Sequence, residues 1–354
     1  MGINEKLWRD KRVLVTGHTG FKGSWLTLIL HNLGAQVYGI SLPAIQPRSL
    51  YEDAKISELL TQEFMQDIRD LEKLAVIINQ IKPDYIFHLA AQAIVRESVL
   101  DPIGTISTNV IGTSNLLLEA LKHANLLGIT VATTDKVYEN EENAKSFKEF
   151  DKLGGKDPYS ASKAATELVT RALVLSNNPH RIPVSTVRAG NVIGGGDWAA
   201  DRLIPDIVRA VESQETLEIR NKNATRPFQH ILDCLSGYLL VAQEHILEKN
   251  IKIFDSYNIG PDKSISVLEA VNWFLTIIGN ELQIVEKSAT IEEHIELHLD
   301  NSKAKNELKW LPFYSPEESL RNVANWYQKN MKGVDARILM LHDLSGYKGF
   351  FSAV

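Results

Sequence analysis

The apolar positions in the first half of the chain switch repeatedly between two periods. Short β-branched runs, Arg12-Val-Leu-Val-Thr16 and Gln36-Val-Tyr-Gly-Ile-Ser41, read as strands, as do 84–88, 128–132 and 183–188. Between them, apolar residues recur at helical spacing over Phe21–Asn32, Leu71–Ile81, 104–124 and Pro158–Ser176. Strands alternating with helices of this length predict parallel βαβ units, with helices on both faces of one sheet. After Arg188 the rhythm breaks. Gly194-Gly-Gly-Asp-Trp198 and Arg226-Pro-Phe-Gln-His230 stand in loop-rich sequence beside a short helix at 203–211, and βα character returns near Asp255-Ser-Tyr-Asn-Ile-Gly260. The C-terminal third reads as mostly helical. The expected fold is α/β, a doubly wound parallel sheet with a smaller, mostly α lobe. Residues 1–190, with a return segment at about 233–260, form the sheet domain; 191–232 and 261–354 form the second lobe. No repeat or low-complexity linker separates the two.

Composition narrows the classes. Hydrophobic residues make up 44% and charged residues 23%, with a net charge of −6. That profile is globular, and it lacks the basic surplus expected of a nucleic-acid partner. Cys234 is the one cysteine, so no intramolecular disulfide and no cysteine-based zinc site can form. Following Asp233 at a helix start, it reads as a buried structural thiol. No apolar run approaches the roughly 18 residues of a membrane span and no secretory leader pattern opens the chain, so a cytoplasmic location is expected.

The first strand runs straight into Thr16-Gly-His-Thr-Gly-Phe-Lys-Gly23, where Gly17, Gly20 and Gly23 fall three apart before the first helix. Glycines there permit a tight turn, close approach of a pyrophosphate and close packing of helix on strand, and the helix N-terminus offers free N–H groups. This is a Rossmann-type dinucleotide site, with one part missing. The acid expected on the adenosine ribose at the end of the second strand is absent from Ile40-Ser-Leu-Pro-Ala44. Ser41 offers a weaker hydrogen bond, and Arg48 would suit a 2′-phosphate, which leaves NAD against NADP open. Asp67 fits either the adenine edge or a helix N-cap.

Asp157-Pro-Tyr-Ser-Ala-Ser-Lys163 opens the long helix, so Tyr159 and Lys163 lie at i and i+4 on one face. An ammonium beside a phenol favours phenolate, which suits acid–base work on a hydroxyl. On a surface helix the same spacing would mean nothing; next to a glycine loop it marks chemistry. At the end of the fourth strand, Thr133-Thr-Asp-Lys-Val-Tyr138 sets an acid and a base side by side, where a solvated loop is the ordinary explanation.

Together with His88-Leu-Ala-Ala-Gln92, Asn109-Val-Ile-Gly-Thr113 and Arg188-Ala-Gly-Asn191, these stretches resemble the extended short-chain dehydrogenase/reductase superfamily of nucleotide-sugar epimerases and dehydratases, over nearly the whole chain. Gly17-His-Thr-Gly-Phe-Lys-Gly-Ser-Trp25, Thr134-Asp-Lys-Val-Tyr138, Gly194-Gly-Gly-Asp-Trp-Ala199 and Thr225-Arg-Pro-Phe-Gln-His230 are similar to its branch acting on CDP-glucose. The resemblance implies a lyase of deoxysugar (O-antigen or lipopolysaccharide) biosynthesis with NAD as cofactor, no metal, and a 4,6-dehydration of the sugar. In that reaction Tyr159, Lys163 and Thr134 serve oxidation at C4, Asp135 is the acid at C6 and Lys136 the base at C5. It also implies cofactor contacts from Gly17, Thr19, Gly20, Phe21, Lys22 and Gly23, from Asp67 and Ile68, from Leu89, Ala90, Ala91 and Gln92, and from Tyr159 and Lys163, the lysine holding the phenolate and the cofactor ribose. Substrate contacts fall to Asn191, Asp197, Trp198, Arg202, Leu203 and Arg226, with His88 and His230 structural. A homodimer is expected from helices 104–124 and 158–176, through Ile106, Val110, Leu117, Leu121, Leu168, Ala172 and Leu175. The alternatives are a dehydratase for GDP-mannose or dTDP-glucose, a C4 epimerase, or a catalytically silent dinucleotide-binding protein.

Overall fold

The computed structural model describes residues 2–44, 47–140, 145–248, 252–287 and 297–350. Seven parallel strands form the main sheet: β1 (Arg12–Thr16), β2 (Gln36–Ser41), β3 (Gln62–Met65), β4 (Tyr85–His88), β5 (Ile129–Ala132), β6 (Val184–Ala189) and β7 (Phe254–Ile259), in the order β7-β6-β5-β4-β1-β2-β3. The sheet alternates its side chains between two apolar layers. Val13, Val15, Tyr85 and Phe87 face one and Leu14 and Ile86 the other, as the two-residue period of a strand requires. The doubly wound sheet matches the sequence expectation.

Helices α1 (Phe21–Asn32), α2 (Leu71–Ile81), α3 (Pro102–Ile106), α4 (Thr113–Ala120), α5 (Pro158–Ser176), α6 (Leu203–Ser213), α7 (Ile231–Leu247), α8 (Val267–Ile278), α9 (Pro316–Met331) and α10 (Ala336–Gly346) complete the frame. α3 passes through a π turn at Ser107–Gly112 into α4. The helix expected over 104–124 is therefore one run with a bulge in it, and it stops at Ala120. The larger apolar cluster continues from Trp25 and Leu28 on α1 to Trp326 and Tyr327 on α9, so the C-terminal helices pack directly against the sheet domain.

Three expectations are corrected. The strand β3 went unread because Gln62-Glu-Phe-Met65 lies at the sheet edge and only its middle residues are partly buried. Leu117 and Leu121 are fully buried against the sheet and cannot face a partner. Arg48 is committed elsewhere: it bonds Asp53, Glu212 and Asn330 and stacks 3.4 Å over the Trp198 ring.

The chain leaves β1 for β2 and β3 on one side, then returns to β4 on the other side of β1. The reversal opens a crevice at the carboxyl ends of β1 and β4, where doubly wound sheets bind ligands.

Candidate active site

The glycine loop lines that crevice. Gly17 has φ +79°, and a Cβ there would come within 2.7 Å of the Ala90 backbone nitrogen; a Cβ on Gly23 would meet the Gly17 carbonyl at 2.1 Å. Only hydrogen fits at either place. Gly20 caps α1 with no side-chain bond to the helix N-terminus, which leaves N–H groups facing the crevice for a diphosphate. The Thr16 hydroxyl accepts from Leu89 and Ala90 N–H and bonds His88, whose other nitrogen meets Thr113 at 2.8 Å. Burial pushes His88 down to about 3, so it is a neutral spacer. Thr19 pairs with Ser41 at 2.7 Å, closing the loop over the end of β2. These residues fit a dinucleotide cradle.

At the adenosine end no acid stands on β2, and the acid on the neighbouring strand is already engaged. Glu63 on β3 accepts from Tyr51 at 2.7 Å and lies 3.0 Å from His18, whose ring fills the notch left by Gly39. With these partners Glu63 supports the loop from beneath. Asp67 is held by Arg69 through bonds of 2.6 to 3.1 Å, while Asp70 caps α2, so the N-cap alternative for Asp67 falls away. Ile68 is buried against Gly112. Gln92 is tied to Asn109, and Asn109 in turn bonds Ser162 on α5, which fastens the segment after β4 to the helix that carries Tyr159 and Lys163. The motif Asn109-Val-Ile-Gly-Thr113 gives no sign of this role in the sequence.

The chemistry-bearing groups meet at the end of β5. Thr134 caps a single 3₁₀ turn, Asp135–Val137; its hydroxyl donates to Asp135 Oδ1 at 2.9 Å and bonds the Tyr159 phenol. Asp135 is 2% exposed, and its Oδ2 has no hydrogen-bond partner among the described residues. Burial pushes its carboxyl up, against the opposing pull of Lys136, Thr134, Arg226 and Lys22. Burial thus moves the carboxyl toward its protonated form. Tyr159 is pushed up to about 12, first by burial, with Thr134 and Arg202 pulling it back. Lys163 does not hold the phenol as expected: it donates to the Ala132 carbonyl at 3.0 Å, and burial together with Lys22 brings it down to about 8. Lys136, half-buried, stands beside Asp135 on the turn.

Side chains from beyond β6 complete the site. Arg226 acts electrostatically on Asp135 and Arg202 on Tyr159, which brings two of the expected substrate contacts beside these groups. Asp197 pairs with Arg202 at 3.1 Å, and Leu203 opens α6. The Asn191 carbonyl accepts from Gln229 N–H at 3.0 Å. Trp198 is packed between Arg48 and Tyr327, so it shapes the site only through the loop it anchors. Lys22 reaches further than its place in the glycine loop suggested. Its ammonium lies 6.0 Å from the Tyr238 ring and acts on Lys163, Asp135 and the buried thiol of Cys234. Tyr238 and Cys234 enter the site on α7, and only a three-dimensional arrangement could reveal that. His230 is buried as the N-cap of α7, in the structural role expected.

A cavity of about 770 Å³ elsewhere, lined by Arg171, Arg181 and the first residues of β7, contains none of these groups. Among the described residues no cluster of side chains could hold a metal ion.

The model of the GDP-mannose 4,6-dehydratase family matches residues 14–323. A CDP-glucose 4,6-dehydratase of Salmonella typhimurium is 41% identical over 354 residues, 98% of this chain and 98% of that protein. A dTDP-glucose 4,6-dehydratase of Escherichia coli is 28% identical, covering 92% of this chain and 94% of its own. Among solved structures, the dTDP-glucose 4,6-dehydratase DesIV of Streptomyces venezuelae, with NAD and TYD bound, superposes with a TM-score of 0.79 at 25% identity, over 91% of this chain and 98% of that one.

Proposed function

Because the chain belongs to the GDP-mannose 4,6-dehydratase family, we propose that it acts as a CDP-glucose 4,6-dehydratase, converting CDP-glucose to CDP-4-keto-6-deoxyglucose and water. It is a hydro-lyase, and its cofactor is NAD. The observation that carries the reading is the turn Thr134-Asp135-Lys136 at the end of β5, where a buried, unpartnered carboxyl oxygen stands next to a buried tyrosine. A C4 epimerase has no need of an acid and a base at C6 and C5. A silent scaffold has no need of any of these groups. The 41% identity to a CDP-glucose enzyme supports the choice of nucleotide.

Glucose has no acidic proton at C5, so water cannot leave across C5–C6 until C4 becomes a ketone. NAD, held by the glycine loop, would supply that oxidation as a reversible hydride acceptor and would add the positive charge of its ring. Tyr159, which burial keeps as a phenol in the free enzyme, would accept the C4 hydroxyl proton once the positive ring of bound NAD joins the Thr134 hydroxyl and Arg202 in favouring its phenolate. Lys163, one turn along α5 from Tyr159, is anchored on the Ala132 carbonyl and carries its positive charge on the same helix face. Lys136 removes the C5 proton, now α to a carbonyl, as the C6–O bond breaks. Asp135, whose carboxyl burial pushes toward the protonated form, hands a proton to the departing hydroxyl. The Asp135 carboxylate left behind is balanced by Lys22 and Arg226. Lys136 finally returns a proton to C5, so solvent hydrogen enters there. Arg202 and Arg226 would grip the diphosphate through their planar forks, with 191–232 and 261–354 forming the nucleotide-sugar lobe; of the latter, 288–296 and 351–354 lie outside the described residues.

The reading extends to assembly. Ile103 is 75% exposed and Leu168 and Leu175 each 58%, with Ile106 and Ala172 exposed beside them on α3 and α5. An apolar stripe of this kind across two adjacent helices fits burial against a second copy. No helix among the described residues is long and apolar enough to cross a membrane, and a cytoplasmic location belongs to the same proposal. A panel of CDP-, dTDP- and UDP-glucose and GDP-mannose, each with NAD and scored for a 4-keto product, tests the function. Turnover of CDP-glucose at least tenfold above the others is expected, and preference for another nucleotide would refute the assignment.

A further inference from the structure

Thr133 and Tyr138 have no part in the chemistry above, yet they are the two ends of the turn that carries it. The Thr133 hydroxyl donates to Glu167 Oε1 at 2.6 Å. The Tyr138 hydroxyl accepts from Arg188 Nη1 at 2.8 Å and donates to Asn258 Oδ1 at 2.6 Å. Arg188 and Glu167 are themselves joined fork to fork, Nε to Oε1 at 2.9 Å and Nη2 to Oε2 at 2.8 Å. Their side chains are only 3% and 2% exposed. The residue before Thr134 and the residue after the 3₁₀ turn are thus fastened to one buried ion pair.

The same pair ties the turn to the rest of the site. Glu167 follows Lys163 by one helical turn on α5, so it shares a face with the proposed cofactor lysine. Arg188 stands two residues before Gly190, where a Cβ would come within 3.1 Å of Asp135 Oδ2. Nothing in the cluster is slack: Glu167 Oε2 also accepts from Thr186 at 2.6 Å, and Arg188 Nη1 donates to the Glu149 carbonyl at 2.9 Å. A buried ion pair contributes little net stability over an apolar substitute, because desolvation offsets most of its attraction. What it does well is fix geometry, and a displacement of about 1 Å at a reacting group can lower a rate roughly 100-fold.

We propose that Arg188 and Glu167 form a positioning clamp which, through Thr133 and Tyr138, holds Asp135 and Lys136 in register with Tyr159 and Lys163, so that elimination follows oxidation on the same bound sugar. The inference rests on the functional reading of Thr134, Asp135 and Lys136 given above.

Tyr138→Phe is the direct test. It removes the hydroxyl while the ring stays stacked on Phe147 at 4.9 Å and the backbone stays bridged to Leu153. Tyr85→Phe is the control: it deletes an equally buried hydroxyl, bonded to Thr130 and His245 inside the sheet. Three quantities are read for the wild type and both variants: melting temperature, kcat and KM for CDP-glucose, and the ratio of solvent deuterium entering C5 to reduced nicotinamide formed. Tyr138→Phe is expected to lower kcat roughly 10- to 100-fold with KM within about threefold, and to lower the deuterium ratio. Tyr85→Phe should lower the melting temperature alone. Should Tyr138→Phe not fold, Thr133→Val, which frees the other end of the turn, is read in the same way. A Tyr138→Phe enzyme that loses thermal stability like Tyr85→Phe but keeps the wild-type ratio and kcat overturns the clamp while leaving the function intact. A wild type that makes no 4-keto sugar from CDP-glucose overturns the functional reading and the clamp together.

Discussion

Removing the Lys136 side chain should separate the two halves of the reaction. The structure gives it nothing to hold up. Its backbone N–H donates to the capping Thr134 hydroxyl at 3.3 Å, which Ala keeps, and the side chain is only half-buried. A surface-like truncation of this kind changes stability by about 0.5 kcal/mol or less. Its proposed role as the base at C5 carries a far larger stake. Loss of a proton-transfer group typically slows a step 10²- to 10⁴-fold, equivalent to about 2.7–5.4 kcal/mol of barrier. The two magnitudes do not overlap, so an activity loss of that size cannot be a folding effect. Lys136→Ala should still oxidise CDP-glucose at C4, because Tyr159, Thr134 and Lys163 are untouched, and then stall. Absorbance of reduced nicotinamide should build up on mixing with substrate, and deuterium from solvent should no longer enter C5. Tyr159→Phe should fail earlier, with no reduced cofactor. If Lys136→Ala dehydrates CDP-glucose at the wild-type rate, the base is another group and the reasoning from the charged pair is wrong.

Asp233, buried on α7 and bonded by Tyr347 at 2.5 Å and by the N–H groups of Phe313 and Tyr314, is pushed up to about 6 by burial. The folded state therefore holds its proton more tightly than the unfolded chain does, so this contribution is fully present at about pH 4 and is lost as pH rises through 6. The shift corresponds to about 3 kcal/mol, and denaturant unfolding of wild type and Asp233→Asn should diverge by that much between pH 4 and 7; parallel curves would contradict it. Cofactor retention should be weak, because no free acid stands at the end of β2. Activity of the purified protein should rise on adding NAD, and NADP should not replace it, since Arg48 is already bonded to Asp53, Glu212 and Asn330. Leu168→Arg should convert a dimer into monomers by light scattering at micromolar concentration, and an unchanged mass would exclude the α3–α5 face as the interface.

The parts of the site that were legible in the sequence are those where local geometry decides. The glycine loop is a strand, a turn and a helix in succession, and Tyr159 with Lys163 is a helical spacing. In both cases the residues that act lie within one or two turns of each other. What stayed hidden depends on distant pairing. Arg48 suited a 2′-phosphate by sequence position, yet Asn330 and Glu212, far along the chain, claim it. Leu117 and Leu121 had the same polarity as Ile106, and only the packing of α4 on the sheet tells them apart. β3 escaped because an edge strand with one partner carries little apolar alternation. The expected lysine–tyrosine contact gave way to another distant pairing, since Lys163 donates to the Ala132 carbonyl at the end of β5.

The central claim is that a transient ketone at C4 licenses loss of water across C5–C6, and isotopic labelling of CDP-glucose tests it most directly. Substrate carrying deuterium at C4 is incubated in ordinary water with the protein and NAD, and the sugar is followed by NMR. The account predicts a 4-keto-6-deoxy product with the label moved from C4 to C6. A product inverted at C4 with the label still on C4, or a sugar returned unchanged, would contradict it.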